Sequence, residues 1–204
     1  MVTTAVMGAG SWGTAFATVL ADAGHDVRIW GRRPEVCATI NEKHENSDYL
    51  PGVALADTIS ATSDPAEALA GAELVILAVP SQSLRANLTD WGQHIGPDAI
   101  MISLMKGVEL GTQLRMSEVI AELTGAGPER IAVVSGPNLA KEIAAREPAA
   151  SVVACADEAV ANRLQSMLHT QAFRPYTNTD LVGCELGGTV KNIIGLAVGV
   201  CDGL

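Results

Sequence analysis

The segment GAGSWG at residues 8–13 constrains the fold of this chain more than any other feature, because of what stands on either side of it. A short apolar run at 3–7 precedes it, and an apolar stretch at 14–24 has the composition of a helix. A G-x-G-x-x-G sequence between a strand and a helix is typical of the turn that binds the phosphates of a dinucleotide. The sequence therefore predicts a dinucleotide site at this turn. A plain glycine-rich loop between strand and helix is the alternative.

Each glycine of the turn has a separate task in such a site. Gly8 allows the tight bend, and Gly10 lets the backbone approach the pyrophosphate. Gly13 lets the helix pack closely on the strand, so that the phosphates meet the helix N-terminus. We expect all three glycines to belong to the cofactor site.

Short strand-like runs alternate with helical stretches along almost the whole chain. The run at 74–79 contains six apolar residues and stops at a proline, as expected for a strand that is buried on both faces. Small aliphatic residues and glycine dominate, and only 3% of the residues are aromatic, which suits helices packed on a sheet. The pattern predicts an α/β fold of Rossmann type, with a doubly wound, mostly parallel sheet. The predicted strands are 3–7, 26–30, 74–79, 99–104, 131–134, 151–156 and 172–176.

The alternation ends near Asp180. From 181 to 204 the sequence is apolar and rich in glycine, without a strand or turn signal, and it predicts one long helix. We expect residues 1–180 to form an NAD(P)-binding Rossmann domain. We expect residues 181–204 to be the first helix of a second, all-helical substrate domain, most of which is missing from this chain.

Charge and composition exclude several functions. The formal net charge is −10, and no run is rich in lysine or arginine, which disfavours binding to nucleic acid or to an anionic membrane surface. The cysteines and histidines show no spacing typical of a metal site or a disulfide framework, so we expect no metal and reduced thiols. The N-terminus lacks the basic start of a signal peptide, and no uninterrupted apolar run approaches the length of a membrane span. These features predict a cytoplasmic protein with a small-molecule ligand.

The end of the second predicted strand bears on the choice of cofactor. Domains that bind NAD usually carry an acidic residue there, which accepts hydrogen bonds from the ribose hydroxyls. Here the sequence is Trp30-Gly31-Arg32-Arg33, and no acidic residue comes before Glu35. Two guanidinium groups suit a 2′-phosphate. We therefore favour NADP(H), with NAD(H) left open and a solvated basic pair as the alternative.

Three further segments follow predicted strands or lie at the domain junction: Met105-Lys106-Gly107, 135–142 and 185–192. Reduction of a ketone by hydride transfer places negative charge on the carbonyl oxygen, which needs a proton donor. Lys191, on an apolar helix, is the leading candidate. Partial desolvation and a nearby cation would lower its pKa, and Lys106 could be that cation while also contacting the substrate. Asn192 could orient a lysine or the substrate. For Lys106 and Lys191 the alternative is an ordinary surface lysine.

Three blocks carry a resemblance to a known family: GAGSWGTA, SGPNLAKEIA and ELGGTVKNIIGLAVGVCDGL. Together they resemble the NAD(P)-dependent glycerol-3-phosphate dehydrogenases of bacteria over essentially the whole chain. The resemblance implies reduction of dihydroxyacetone phosphate to sn-glycerol 3-phosphate in the cytoplasm, the first step of glycerophospholipid synthesis. It also suggests a homodimer.

The resemblance assigns roles to individual residues by position. Lys191 matches the family's catalytic lysine, which donates and accepts the proton. Lys106 and Gly136 match residues shared by cofactor and substrate, and Asn138 matches a substrate contact. The positions that match cofactor contacts are Ser11, Trp12, Arg32, Arg33, Tyr49 and Ala140.

The chain departs from the family in two ways. Met105 stands where the family usually has a small hydroxyl residue. The family also continues into a helical domain with an Asp and a Ser-Arg-Asn run that bind the substrate phosphate, so we expect this chain to bind cofactor but to be impaired in catalysis. Two other functions stay open: a reductase of the ketopantoate or hydroxy-acid type, and a non-catalytic NAD(P)-binding sensor or interaction module.

Overall fold

The computed structural model describes residues 1–203 of the chain. Its strands are β1 (Thr3–Met7), β2 (Asp26–Trp30), β3 (Ile59–Thr62), β4 (Leu74–Leu77), β5 (Ile100–Ser103), β6 (Ile131–Ser135), β7 (Ala149–Cys155) and β8 (Phe173–Asn178). Its α-helices are α1 (Ser11–Asp22), α2 (Pro34–Lys43), α3 (Pro65–Leu69), α4 (Leu84–Trp91), α5 (Met116–Thr124), α6 (Ala140–Ala144), α7 (Glu158–Leu168) and α8 (Leu181–Asp202).

The strands form one eight-stranded sheet in the order β3-β2-β1-β4-β5-β6-β7-β8. All neighbouring strands are parallel except β6 and β7, which are antiparallel. Every residue of β4 and β5 is buried, which explains why these strands are continuous apolar runs in the sequence. The sheet confirms the predicted doubly wound α/β fold. Its strand order reverses between β1 and β4, and this is where open sheets of this kind bind ligands.

Helices cover both faces of the sheet, and each face has its own apolar core. On one face α1, α2, α6 and α7 bury a cluster that includes Phe16, Ile40 and Phe173. On the other face α3, α4 and α5 bury a cluster that includes Leu84, Trp91 and Ile120. Both layers hold the carboxyl ends of the strands in place, so the residues that follow β1, β4, β5 and β6 meet at one edge.

Several element boundaries differ from the sequence prediction. The first helix begins at Ser11 rather than at residue 14, because the glycine turn leads directly into its first turn. The strand β3 and the short helix α3 were not predicted. The helix α4 is flanked by 3₁₀ turns at Ser81–Ser83 and Gly92–His94, and α6 spans only five residues.

The long helix predicted from residue 181 is present as α8, and its predicted last residue, Leu204, lies outside the described residues. Most of α8 is exposed, including Ile193 at 68% and Leu196 at 72%. By length and composition α8 could cross a membrane, although only 6% of its most apolar window is buried in the structure. No span was expected from the sequence, because Glu185 and Lys191 interrupt the apolar run and no uninterrupted run has this length. The mean hydropathy of the helix is nevertheless high enough for a span despite these two charged residues. One such helix is weak evidence for a span, since helices that are covered by protein have the same composition.

Candidate functional site

The glycine turn between β1 and α1 needs glycine at two positions for its own folding. Gly8 has a φ of +138°, and a Cβ there would lie 2.6 Å from the carbonyl oxygen of Ala78. A Cβ on Gly13 would overlap the carbonyl oxygen of Gly8. Gly10 is different, because a Cβ there meets nothing within 4 Å among the described residues. The open space over Gly10 leaves room for a ligand to approach the backbone.

The N-terminus of α1 faces that open space, and no side chain of the helix neutralises its partial positive charge or caps its free N–H groups. Gly10 is the N-cap residue, so no side chain caps the helix, and the first turn contains no acidic residue. The first N–H groups of a twelve-residue helix and its dipole attract an anion. The turn therefore fits the pyrophosphate of a dinucleotide.

A cavity of about 520 Å³ extends from the turn along the point where the strand order reverses. Most of the predicted cofactor residues line it, namely Gly8, Gly10, Ser11, Trp12, Arg32, Arg33 and Tyr49. The opposite wall follows β4 and β5 and includes Ala78, Pro80, Asn87, Leu104 and Met105. Gly13 is buried behind the turn, and Lys106 and Ala140 lie outside the lining.

The loop at 44–52 contributes Tyr49 to the cavity wall, and hydrogen bonds fix the loop to the glycine turn. The Ser11 hydroxyl donates to the carbonyl oxygen of Tyr49 at 2.6 Å. The buried Asn46 amide donates to the carbonyl oxygen of Ala9 and to the Thr14 hydroxyl, both at 2.8 Å. The placement of Tyr49 beside the nucleotide site thus depends on Asn46, a residue that the sequence did not single out.

Arg33 and Arg32 differ in their surroundings. The Nη2 of Arg33 lies 2.5 Å from Oδ2 of Asp48, and its guanidinium stands 5.3 Å from the centre of the Tyr49 ring. The Asp48 carboxylate raises the pKa of Arg33 above its ordinary value. Arg32 is exposed and lines the cavity without an ion pair to any of residues 1–203. Sequence reasoning missed Asp48, because it searched for an acidic residue only at the end of β2.

The three segments predicted to form a substrate site meet at the carboxyl ends of β5 and β6. The Lys106 ammonium donates to the carbonyl oxygen of Gly136 at 3.3 Å, and the Gly107 N–H donates to the Thr189 hydroxyl at 3.0 Å. A Cβ on Gly188 would stand 2.7 Å from the Ser135 hydroxyl oxygen. The first turns of α8, as far as Thr189, therefore pack against the loops after both strands.

The charge of Lys191 is close enough to act on the Lys106 ammonium. Desolvation of the ammonium and the positive charge of Lys191 both lower the pKa of Lys106. The expectation that Lys191 is partly desolvated is wrong, because this part of α8 projects from the domain and Lys191 is exposed. Asn192 is exposed beside it.

Asn138 lies in the loop after β6. Its Nδ2 donates to the Ser151 hydroxyl, while its Oδ1 is buried without a hydrogen-bond partner among residues 1–203. A buried amide oxygen left in this way costs free energy until a donor reaches it. A substrate hydroxyl could be such a donor. Ser151, which orients the amide, was not predicted.

A buried ionic cluster attaches the first turns of α8 to α5. The Glu185 carboxylate accepts hydrogen bonds from the Ser117 N–H at 2.9 Å, the Ser117 hydroxyl at 2.5 Å and Arg115 Nη1 at 2.7 Å. The side chain of Glu185 is only 6% exposed. Because Lys191 lies six residues further along the same helix, this cluster fixes the direction in which Lys191 is presented.

Comparisons with known proteins agree with this geometry. A family model described as NAD-dependent glycerol-3-phosphate dehydrogenase N-terminus matches residues 3–161. The glycerol-3-phosphate dehydrogenase [NAD(P)+] of Streptomyces griseus is 66% identical over 203 residues, covering 100% of this chain and 60% of that protein. The corresponding protein of Thermobifida fusca is 58% identical over 205 residues, covering 100% and 61%. The chain spans about three fifths of the length of these relatives.

Solved structures give the same result. The crystal structure of glycerol-3-phosphate dehydrogenase from Coxiella burnetii is 36% identical with a TM-score of 0.89, and the match covers 99% of this chain and 61% of that one. The Plasmodium falciparum glycerol-3-phosphate dehydrogenase is 30% identical with a TM-score of 0.89, covering 99% and 58%. A ketopantoate reductase from Ralstonia eutropha, at 18% identity and a TM-score of 0.66 over 90% and 58%, shares the fold alone.

Proposed function

The chain belongs to the NAD-dependent glycerol-3-phosphate dehydrogenase family through its N-terminal domain, and from this premise we propose that it binds NADPH or NADH and reduces dihydroxyacetone phosphate to sn-glycerol 3-phosphate. One observation carries the proposal. The cavity at the reversal of strand order begins at the glycine turn, and the Lys106–Gly136 pair and α8 lie at the neighbouring strand ends. A dinucleotide site and a cationic site on the same edge of the sheet suit reduction of a phosphorylated ketone.

The residues of the turn and the adjoining loops fit the dinucleotide. The backbone at Gly10 and Ser11 suits the pyrophosphate, since nothing in the described chain fills the space there. Trp12 and Tyr49 line the cavity with flat apolar surface, and Arg32 supplies a cation for a 2′-phosphate. No acidic residue stands between the end of β2 at Trp30 and Glu35, where domains that bind NAD usually carry one, and this supports NADP(H) as the cofactor, with NAD(H) as a second one.

When bound, the reduced nicotinamide supplies a hydride to the carbonyl carbon of the substrate. The carbonyl oxygen then needs a proton, and we assign its delivery to the ammonium Nζ of Lys191. Because Lys191 is exposed, it can recover a proton from water after each cycle. The cationic form of Lys106 stabilises negative charge on the substrate.

The remaining substrate contacts follow from the loop after β6. The unpartnered Oδ1 of Asn138 can accept a hydrogen bond from a substrate hydroxyl. Gly136 stands where a Cβ would come within 3.1 Å of Asn138 Nδ2, so a side chain there would crowd that amide. Asn192 on α8 and Ala140 at the start of α6 complete the predicted set, on the substrate and cofactor sides respectively.

The proposal also covers the domain division of the chain, its cellular location, its metabolic role and its oligomeric state. Residues 1–180 would form the dinucleotide domain, and α8 would begin a helical substrate domain. We further propose a cytoplasmic location, a role at the start of glycerophospholipid synthesis and a homodimer. Light scattering from the purified chain tests the dimer directly.

The decisive experiment follows NADPH oxidation with dihydroxyacetone phosphate, with ketopantoate and without substrate. It uses this chain and a fusion to the C-terminal part of the Streptomyces griseus relative, which supplies the length that this chain does not span. We expect the fusion to oxidise NADPH with dihydroxyacetone phosphate but not with ketopantoate or without substrate, and we expect this chain by itself to be impaired in the same reaction. Turnover of ketopantoate instead, or NADPH binding without any turnover by the fusion, would overturn the proposed reaction.

The role of Lys191 is tested in the same assay. Lys191→Ala is expected to abolish turnover while the dissociation constant for NADPH stays within about twofold. Lys43→Ala, at the end of α2, is the matched control and should keep full activity. A Lys191→Ala protein that retains most of its rate would remove Lys191 from proton transfer.

A further inference from the structure

Arg33 belongs to the basic pair assigned to the 2′-phosphate, yet its guanidinium already forms an ion pair with an acidic side chain of the protein. Its Nη2 lies 2.5 Å from Asp48 Oδ2, and its Nε lies 3.7 Å from Glu35 Oε1. The guanidinium also stands over the ring of Tyr49. A phosphate that approaches Arg33 must therefore displace the Asp48 carboxylate or share the guanidinium with it.

Hydrogen bonds from the residues on either side of Asp48 hold its backbone in place. Asp48 lies two residues after Asn46, which is 1% exposed and whose side-chain amide donates to the carbonyl oxygen of Ala9 in the glycine turn. On its other side, the carbonyl oxygen of Tyr49 accepts the hydroxyl of Ser11. The backbone on both sides of Asp48 is thus fixed to the turn that holds the dinucleotide.

The charge of Asp48 acts in opposite directions on the two cofactors. A 2′-phosphate is a dianion that the carboxylate repels, and the carboxylate also neutralises the cation that would bind it. A 2′-hydroxyl can instead donate a hydrogen bond to a carboxylate. In other domains of this type the acidic residue at the end of the second strand accepts that hydrogen bond. In this chain β2 ends without such a residue, and Asp48 brings a carboxylate to the same region from a later loop.

We propose that Asp48 is a specificity-determining residue, which holds Arg33 and reduces the preference of the site for NADPH over NADH. The proposal rests on the proposed function, because it needs a dinucleotide in the cavity. Arg32, which has no ion pair within residues 1–203, then carries most of the attraction for a 2′-phosphate.

The test uses Asp48→Asn in this chain and measures binding rather than activity. Dissociation constants for NADPH and NADH are obtained from quenching of tryptophan fluorescence, since Trp12 lines the cavity. We expect NADPH to bind about three- to tenfold more tightly and NADH to bind unchanged or more weakly, with the larger gain at low ionic strength. Asp48→Glu keeps the charge and should stay close to the parent.

Asp57→Asn is the matched control, because it removes the same charge from a side chain that is 98% exposed and stands 3.9 Å from His44. The assignment is overturned if the ratio of the two dissociation constants does not change in Asp48→Asn, or if Asp57→Asn changes it equally. If the parent binds neither dinucleotide, the proposed function fails as well. If the parent binds both and the ratio is unmoved, the assignment of Asp48 fails alone.

Discussion

Replacement of Glu185 by glutamine is expected to loosen α8 from the domain. The carboxylate accepts three hydrogen bonds, two from Ser117 and one from Arg115, and it is nearly inaccessible to water. Glutamine has the same size but only one accepting oxygen, and its amino group would face donors. The variant therefore removes the charge and leaves part of this cluster unsatisfied without creating a cavity.

The magnitude follows from the cluster. Removing one partner of a buried ion pair costs about 3–5 kcal/mol. Arg115 keeps a second partner, because its Nη2 lies 2.9 Å from Glu118, so the loss falls to about 2–4 kcal/mol. Since the cluster joins α8 to α5, this energy appears as easier opening of α8. An opening equilibrium that shifts by about 2–4 kcal/mol speeds amide exchange roughly 30- to 800-fold.

Hydrogen exchange measured by mass spectrometry resolves this effect, with peptides from 181–202 compared with peptides from β1 and β4. Glu118→Gln is the control, because its side chain is 44% exposed and bonds to the same Arg115. It should cost about 1 kcal/mol or less. If Glu185→Gln accelerates exchange in α8 no more than Glu118→Gln does, the cluster does not hold the helix.

Three further variants test other parts of the structure. Lys191→Ala should raise the pKa of Lys106, because the charge of Lys191 is one of its two lowering causes; nuclear magnetic resonance of methylated lysines would show this, and an unchanged pKa would contradict it. Gly13→Ala should lower the free energy of unfolding in urea by about 1–3 kcal/mol through the overlap with Gly8, and a variant as stable as the parent would refute that contact. The Glu109 pKa lies below its ordinary value of 4.5 because Arg85 and Thr112 bond its carboxylate. The stability that this carboxylate contributes is fully present above pH 4.5 and is lost as the pH falls through the lower pKa of the folded state. Below pH 4.5 the free energy of unfolding of Glu109→Gln should therefore fall less steeply with pH than that of the parent. The control Glu42→Gln, at an exposed position, should follow the parent.

The sequence predicted what depends on local pattern. The turn at 8–13, the buried strand β4 and the long helix from residue 181 all have strong periodic or compositional signals, and the structure contains each. The strand β3 was missed because only two of its four residues, Ile59 and Ala61, are buried. The helix α3 spans just five residues and begins at a proline, so its apolar pattern is too short to recognise.

Long-range pairings were beyond sequence reasoning. Nothing in the local pattern brings Asp48 to Arg33 fifteen residues away, or Glu185 to Ser117 sixty-eight residues away. The exposure of Lys191 was also misjudged, because an apolar helix is buried only where another surface packs against it. In this chain the contacts of α8 with the sheet are made by its first turns, up to Thr189.

The central claim is that the turn between β1 and α1 holds a dinucleotide, and Gly10→Ala tests it most directly. The backbone of Gly10 has a φ of −73°, which alanine adopts freely, and an added Cβ touches no described atom within 4 Å. The variant should therefore keep its free energy of unfolding within about 1 kcal/mol of the parent. Calorimetric titration should show that the parent binds NADPH and that Gly10→Ala binds it at least about tenfold more weakly, a loss of about 1.4 kcal/mol. A parent that binds no NADPH, or a Gly10→Ala protein that binds it as tightly as the parent, would contradict the account.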